Sequence, residues 1–462
     1  MPRIPTYDLV IQNGILLYGS KNFHVHLCIK DGKIASILDS KMMIPDTKEI
    51  YDAAHKYLFP GLIDPHVHFA LNLGEHTSAD DFKSGSKAAA FGGYTTVFDF
   101  TDVVTDGVEQ LEKYVENRRE QASESYINTQ LHLTLAEPEF SPSQAVELAI
   151  RHKMKSIKVF TTYSDSNRMT SDGYLYDLLR ATRGTKIMIM VHCENDGIIQ
   201  YKSEEFRKKG KVGCSAAPKI HNTLTEKEAV LRVCQFAIDA DSKVYIAHVS
   251  SGETVKRVNE CFGEYLGKNI FLETCPHYIY LNSTYTLGEN AHLYTVCPAL
   301  RDEEERILLR KQLLAGLLHT IGSDHCPFPK AVKAEYIDDY LNIPNGLPGI
   351  ELSFSLMYNL LMLEHSKMTV ESLADMFSTM PAKIFGYYPQ KGTLFPGSDA
   401  DIMIYDPNHS WKVDSSLLHM NTDYTPYDGL MLRGRVDSTI CGGNFIVKNK
   451  EFVPDLLKGQ DD

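Results

Sequence analysis

Between residues 59 and 324 the chain alternates short apolar runs with segments of helical period, eight times over. The runs cover 59–66, 95–100, 130–135, 156–160, 187–191, 244–248, 270–274 and 320–324. Eight strand–helix units in about 270 residues is the pattern of an α/β fold, the (β/α)8 or TIM barrel, whose active site lies at the C-terminal ends of its strands. The intervening segments read as helices. In 224–240, Ala229, Val230, Val233, Phe236 and Ala237 make one apolar face, with Thr225 and Glu228 as a capping box. Another helix is expected to start near Ser250, with Glu253 three residues later.

Metal-ligand residue types sit where these runs end. His66 and His68 are spaced i, i+2, which on a strand points both side chains the same way. Lys158 follows Ser156-Ile157, His192 follows the run 187–191, His248 follows 244–247, and Asp324 follows Ile321-Gly322-Ser323. His24 and His26 share the spacing but lie inside an alternating stretch, 23–29, that stops at an Asp31-Gly32 turn. They read as ordinary strand residues.

Four histidines, a lysine and an aspartate exceed the needs of one tetrahedral metal. Two ions make sense of them: His66, His68 and Asp324 on one, His192 and His248 on the other, with a bridge between. Two readings of Lys158 stand. It forms a carbamate with CO2 and bridges the metals as an anion, or it pairs with a carboxylate at the strand end. Two adjacent metals share an activated hydroxide and polarise the bond under attack. Asp324 is placed to take the water's proton and pass it to a leaving nitrogen. The chemistry implied is hydrolysis of an amide-like or ester-like bond. Tyr163, five residues after Lys158, either donates to the developing oxyanion or packs at the barrel mouth.

Bulk properties narrow the partners. A hydrophobic content of 43%, a charged content of 23% and a net charge of −13 describe a soluble globular chain. No basic cluster points to nucleic acid, and an acidic surface does not favour anionic membranes. The run 88–92 is too short to span a bilayer. The opening Met-Pro-Arg-Ile-Pro-Thr-Tyr lacks a signal-peptide pattern. Nine scattered cysteines without framework spacing read as reduced thiols of a cytoplasmic protein.

Both ends of the chain read as small antiparallel β units. Residues 9–11, 25–29 and 33–37 are separated by Asn13-Gly14 and Asp31-Gly32, which are hairpin signals. Short strands return at 401–405, 439–442 and 444–447. The expected organisation is a β-sandwich from both termini (1–57 and 389–462) around a catalytic barrel (58–388), with a frayed polar tail at 458–462.

Taken as a set, several motifs resemble the dihydropyrimidinase/hydantoinase branch of the cyclic amidohydrolases, over roughly residues 7 to 455. They are Gly61-Leu62-Ile63-Asp64-Pro65-His66-Val67-His68, Ser78-Ala79-Asp80-Asp81-Phe82 with Gly92-Gly93, Lys158-Val159-Phe160 with Tyr163, His192-Cys193-Glu194-Asn195, Ala247-His248-Val249-Ser250, Gly322-Ser323-Asp324-His325-Cys326 and Gly397-Ser398-Asp399-Ala400-Asp401. The resemblance implies a barrel with a β-sandwich and two metals, usually zinc, bridged by a carboxylated lysine. It implies ring opening of dihydropyrimidines and hydantoins to N-carbamoyl amino acids, commonly in a homotetramer. It makes His66, His68, Lys158 (as N6-carboxylysine), His192, His248 and Asp324 the metal ligands, Asp324 the acid/base and Tyr163 the oxyanion donor. Main-chain groups at Cys297 and Asn345 would hold the ring's amide edge.

The chain departs from that pattern in places. Cys297 stands where members usually have serine, and Lys219-Ile220-His221-Asn222-Thr223-Leu224 lacks their Arg-Pro pair. The loop 164–169 is polar and carries Asn167 and Arg168, which are expected to face the substrate and favour polar or anionic substituents over aromatic ones. The alternative leaves Arg168 in solvent and draws apolar walls from Leu71, Leu73 and Phe160. His68-Phe69-Ala70 lacks the arginine that dihydroorotases carry two residues after the second histidine. Allantoinase is a nearer alternative, although 78–82 looks more like the hydantoinase version. Collapsin-response mediator proteins, a non-catalytic class of this fold, have lost metal ligands, whereas all six ligand types are present here.

Overall fold

The computed structural model describes residues 6–18, 21–364 and 368–453. The opening five residues and the tail at 458–462 lie outside the described residues. In chain order the strands are β1 (Tyr7–Tyr18), β2 (Lys21–Lys30), β3 (Lys33–Asp39), β4 (Thr47–Asp52), β5 (Tyr57–Pro60), β6 (Leu62–Asp64), β7 (Tyr94–Phe100), β8 (Asn128–Thr134), β9 (Ser156–Phe160), β10 (Met188–His192), β11 (Val244–Ile246), β12 (Ile270–Thr274), β13 (Thr320–Ile321), β14 (Ile402–Lys412), β15 (Met431–Cys441), β16 (Asn444–Lys448) and β17 (Glu451–Phe452).

Strands β6 to β13 pair in sequence order, all parallel, with helices on the connections. A bridge between Val67 and His325, with the His68 N–H donating to the His325 carbonyl at 2.9 Å, joins the first strand to the last and nearly closes the (β/α)8 barrel. Alternation along each strand sends one set of side chains outward and the other inward. Leu62, Val97, Leu133, Ile157, Ile189, Ile246 and Leu272 join the large cluster under the helices. Ile63, Phe98, Phe100, Met188, Met190, Tyr245 and Phe271 fill the barrel interior, where Phe385 also packs.

The terminal segments build a separate nine-stranded sheet in the order β17-β16-β15-β14-β5-β1-β2-β3, with β4 paired to β1. Leu9, Ile11, Val25, Leu27, Ile29, Leu58, Ile402, Ile404 and Ile440 share one core, so strands from both termini wrap a single apolar centre.

The structure corrects several local readings. The run 59–66 is two strands: β5 pairs with β14 in the terminal sheet, and β6 begins the barrel after Gly61. The terminal sheet is mixed rather than purely antiparallel, because β1 runs parallel to β4 and β5. Asn13-Gly14 is a bulge inside β1, with Asn13 at φ 58°, not a turn. Asp31 and Gly32, both at positive φ, do turn the chain between β2 and β3. The helix expected over 224–240 is Thr223–Asp239, capped by Asn222 rather than by Thr225 and Glu228. The one expected near Ser250 is Gly252–Phe262, capped by Ser251.

Candidate metal centre

The centre lies at the C-terminal mouth of the barrel. His66 and His68 do not sit on a regular strand. β6 stops at Asp64, and the two histidines flank Val67 in the extended segment that bridges to His325. They still share a side, with ring centres 5.1 Å apart. Buried Asp64 fixes their entry by accepting from the N–H groups of His66 and Ser323, each at 3.1 Å. Burial raises its pKa to about 7. Gly322 is needed for the approach of the last strand: a Cβ there would lie 2.8 Å from Glu273 Oε2 and 3.1 Å from His66 Cβ.

Asp324 Oδ1 lies 3.3 Å from His66 Nε2 and 3.1 Å from His68 Nε2. One donor atom from each of the three residues falls within 4.8 Å of the others. His192, the last residue of β10, places Nδ1 2.9 Å from His248 Nε2. The rings of His66 and His248 stand 5.3 Å apart and join the two groups. His248 (φ 38°), Asp324 (φ 48°) and Tyr163 (φ 73°) all hold left-handed backbone, a strain of order 1–3 kcal/mol each that clusters at functional sites.

Lys158 sits mid-strand in β9, faces the barrel interior and is 1% exposed. Its Nζ lies 5.3 Å from the Phe100 ring centre and 5.2 Å from that of Phe160. Among the described residues no carboxylate comes within the 4.0 Å of an ion pair, so the pairing left open by the sequence is not made. Burial lowers its pKa to about 8. Burial also pushes His66, His192 and His248 down, toward the neutral imidazoles that a metal requires. Neutral nitrogens plus a carboxylate are a donor set suited to a borderline divalent ion such as zinc.

Above these residues opens a cavity of about 260 Å3 whose walls include Leu71, Leu73, Phe160, Tyr163, Arg168 and Asn345. Both expected wall types are therefore present, apolar side chains and Arg168, whereas Asn167 is exposed and lies outside this cavity. The Tyr163 ring is 5.1 Å from His192, and burial raises its phenol pKa well above the usual value, which keeps a proton to donate. Cys297 and Asn345 also line the cavity, and Asn345 Oδ1 is buried with no hydrogen-bond partner among the described residues. His26, by contrast, occupies both ring nitrogens with the Asn13 N–H and the Met42 carbonyl, each at 3.3 Å, far along the terminal sheet.

Three carboxylates that brace the centre escaped sequence reasoning: Asp64, Glu194 and Glu273. Glu194 Oε2 lies 2.9 Å from His192 Nε2, and Glu273 Oε1 lies 2.9 Å from His66 Nδ1. The available signal was a charged residue inside or directly after an apolar run.

The Amidohydrolase family model matches residues 57–446. A D-hydantoinase of Geobacillus stearothermophilus is 34% identical over 454 residues, covering 96% of this chain and 94% of that protein. A D-hydantoinase of Streptomyces coelicolor is 29% identical over 96% of this chain and 95% of that protein. The crystal structure of dihydropyrimidinase from Brevibacillus agri superposes with a TM-score of 0.90 at 32% identity, covering 96% of each chain. The chain belongs to the amidohydrolase family, in its hydantoinase/dihydropyrimidinase branch.

Proposed function

We propose that this chain hydrolyses the cyclic amide bond of hydantoins and dihydropyrimidines to N-carbamoyl amino acids. The observation that carries the reading is the convergence of four histidines and Asp324 around a buried Lys158, which has no ion-pair partner among the described residues, under one shared cavity. His66, His68 and Asp324 would hold one divalent ion, most simply zinc, and His192 and His248 a second. Lys158 would bridge them as N6-carboxylysine. Support for that modification comes from its surroundings: a depressed pKa leaves free amine to add CO2, and the product anion would lie among neutral donors.

When bound, the metal pair supplies an activated water at neutral pH and polarises the amide carbonyl. The chain's own groups do the rest. Main-chain groups of Cys297 and Asn345 hold the amide edge of the ring. The Tyr163 hydroxyl donates to the carbonyl oxygen as it gains charge. Asp324 takes a proton from the attacking water and returns it to the ring nitrogen as the C–N bond breaks and the new C–O bond forms. The product carries a carboxylate at one end of the opened ring and a ureido group at the other.

The same reading divides the chain into a barrel near 58–388 and an accessory domain from 1–57 and 389–462, which the shared core of the terminal strands supports. It takes the protein as a cytoplasmic homotetramer. Nine free cysteines suit a reducing compartment, and the oligomer rests on family resemblance.

The test is a substrate panel of dihydrouracil, hydantoin, allantoin and dihydroorotate with metal-loaded protein, the products identified by NMR. N-carbamoyl products from the first two are expected. Turnover of allantoin alone would move the activity to a neighbouring ureide hydrolase.

A further inference from the structure

Beside the centre described above lies a second group of metal-ligand side chains. Glu194, His221 and Cys297 each offer one donor atom within 4.8 Å of the others. Glu194 is fully buried, with Oε2 on His192 Nε2 at 2.9 Å and both oxygens on His221 Nδ1, Oε1 at 3.0 Å and Oε2 at 3.2 Å. Cys297 Sγ stands 3.9 Å from both ring nitrogens of His221 and 3.7 Å from Tyr340 Oη. The two departures from the family pattern, His221 in the segment without Arg-Pro and Cys297 in place of serine, therefore touch each other.

We propose that Glu194, His221 and Cys297 form a third metal site, distinct from the catalytic pair, that takes a thiophilic divalent cation and inhibits the enzyme when filled. The donor set is one oxygen, one nitrogen and one sulfur, a combination that zinc accepts and that leaves a fourth tetrahedral position open. The spacing fits. Bond lengths of about 2.0–2.3 Å at a tetrahedral ion put neighbouring donors roughly 3.3–3.6 Å apart. The observed separations are 3.0 Å from Glu194 to His221 and 3.9 Å from His221 to Cys297, with all three donors within 4.8 Å, so filling the site asks for shifts of up to about 1 Å. The S-donor sets this site apart from the pair, whose protein donors are nitrogen and oxygen only.

Occupancy would reach the reaction by two routes. Cys297 lines the substrate cavity, and a cation on its sulfur would sit against the ring-binding wall. Glu194 also holds His192, so drawing Oε1 onto an ion would pull on the carboxylate that orients that imidazole. Binding displaces to solvent both the Cys297 thiol proton and the Nδ1 proton by which His221 pairs with Glu194, so no other reactant is needed.

The experiment uses the full-length protein already loaded with its two metals, titrated with Zn2+ and, in parallel, with Co2+. Expected is one further equivalent bound, a fall in ring-opening rate of at least about ten-fold, and with Co2+ a near-ultraviolet thiolate-to-metal charge-transfer band. Cys297→Ser and His221→Gln should each abolish the added equivalent and the band, and should remove the fall measured relative to each variant's own two-metal rate. Saturation at two equivalents without a band overturns the proposal, as does a band that survives Cys297→Ser. Equivalents and band are read without turnover, so a protein that opens no ring in the panel would fail the proposed function while this site is still decided.

Discussion

Glu273 and His66 are joined by a hydrogen bond of 2.9 Å between Oε1 and Nδ1, both side chains buried. The same carboxylate accepts from the His248 N–H at 2.8 Å and from Tyr245 Oη at 2.6 Å. One side chain therefore orients a histidine from each half of the centre. Carboxylates behind ligating histidines are worth about 10–100-fold in metal affinity. Glu273→Ala is expected to weaken metal binding by that factor in equilibrium dialysis, with unchanged far-ultraviolet circular dichroism as the control for folding. Wild-type affinity in a folded variant would remove Glu273 from this role.

Lys158→Ala is expected to lose most bound metal and at least about a thousand-fold in rate, since a bridging anion is deleted from a two-metal centre. A short carboxylic acid added to the variant should restore part of both. His24→Ala and His26→Ala should keep full metal content. Retention of both metals and wild-type rate by Lys158→Ala would show that the lysine does not bridge.

Arg168 shares the cavity wall with Leu71, Leu73 and Phe160. A guanidinium there favours a substituent that carries a carboxylate, and charged hydrogen bonds contribute about 1.5–3 kcal/mol. Carboxymethyl hydantoin should therefore exceed phenylhydantoin in kcat/KM, and Arg168→Ala should lower the former by about ten-fold or more while sparing unsubstituted hydantoin. A preference for phenylhydantoin that survives Arg168→Ala would assign specificity to the apolar wall instead.

Lys333 ties together the two loops proposed to hold the ring. Its Nζ donates to Thr295 O at 3.0 Å, to Thr295 Oγ1 at 3.1 Å and to Gly346 O at 2.7 Å, one residue from Asn345 and two from Cys297. Gly346 has φ 145°, and a Cβ there would meet the Cys326 carbonyl oxygen at 2.2 Å, so the loop path depends on that residue. Burial lowers the Lys333 pKa to about 7. The ammonium makes all three bonds below that pH, and the tie weakens as pH rises through it. KM should rise across that interval, and Lys333→Met should show a raised KM at every pH with no such step. A wild-type KM that stays flat from about pH 6 to 8 would contradict this.

The barrel was legible because its strands, covered on both faces, read as unbroken apolar runs. The candidate ligands were legible because His192, His248 and Asp324 interrupt or end those runs. Within 59–66 the change of sheet at Gly61 was not legible, since residues on either side are equally apolar. Asn13-Gly14 misled because a bulge and a hairpin turn both need positive φ at asparagine or glycine. Glu273 sits inside the run 270–274, and its meaning appears only when β12 is placed beside His66. The contact of His221 with Cys297 joins residues 76 apart in sequence through tertiary packing, which no local period encodes.

Ring opening is proposed to depend on two divalent ions held at the barrel mouth. The most direct test of that dependence is to strip the protein with a chelator and titrate it with Zn2+, following bound metal and hydantoin hydrolysis together. No turnover is expected in the stripped protein, and the rate should climb to its maximum at two equivalents per chain. Full activity at one equivalent or fewer would contradict it.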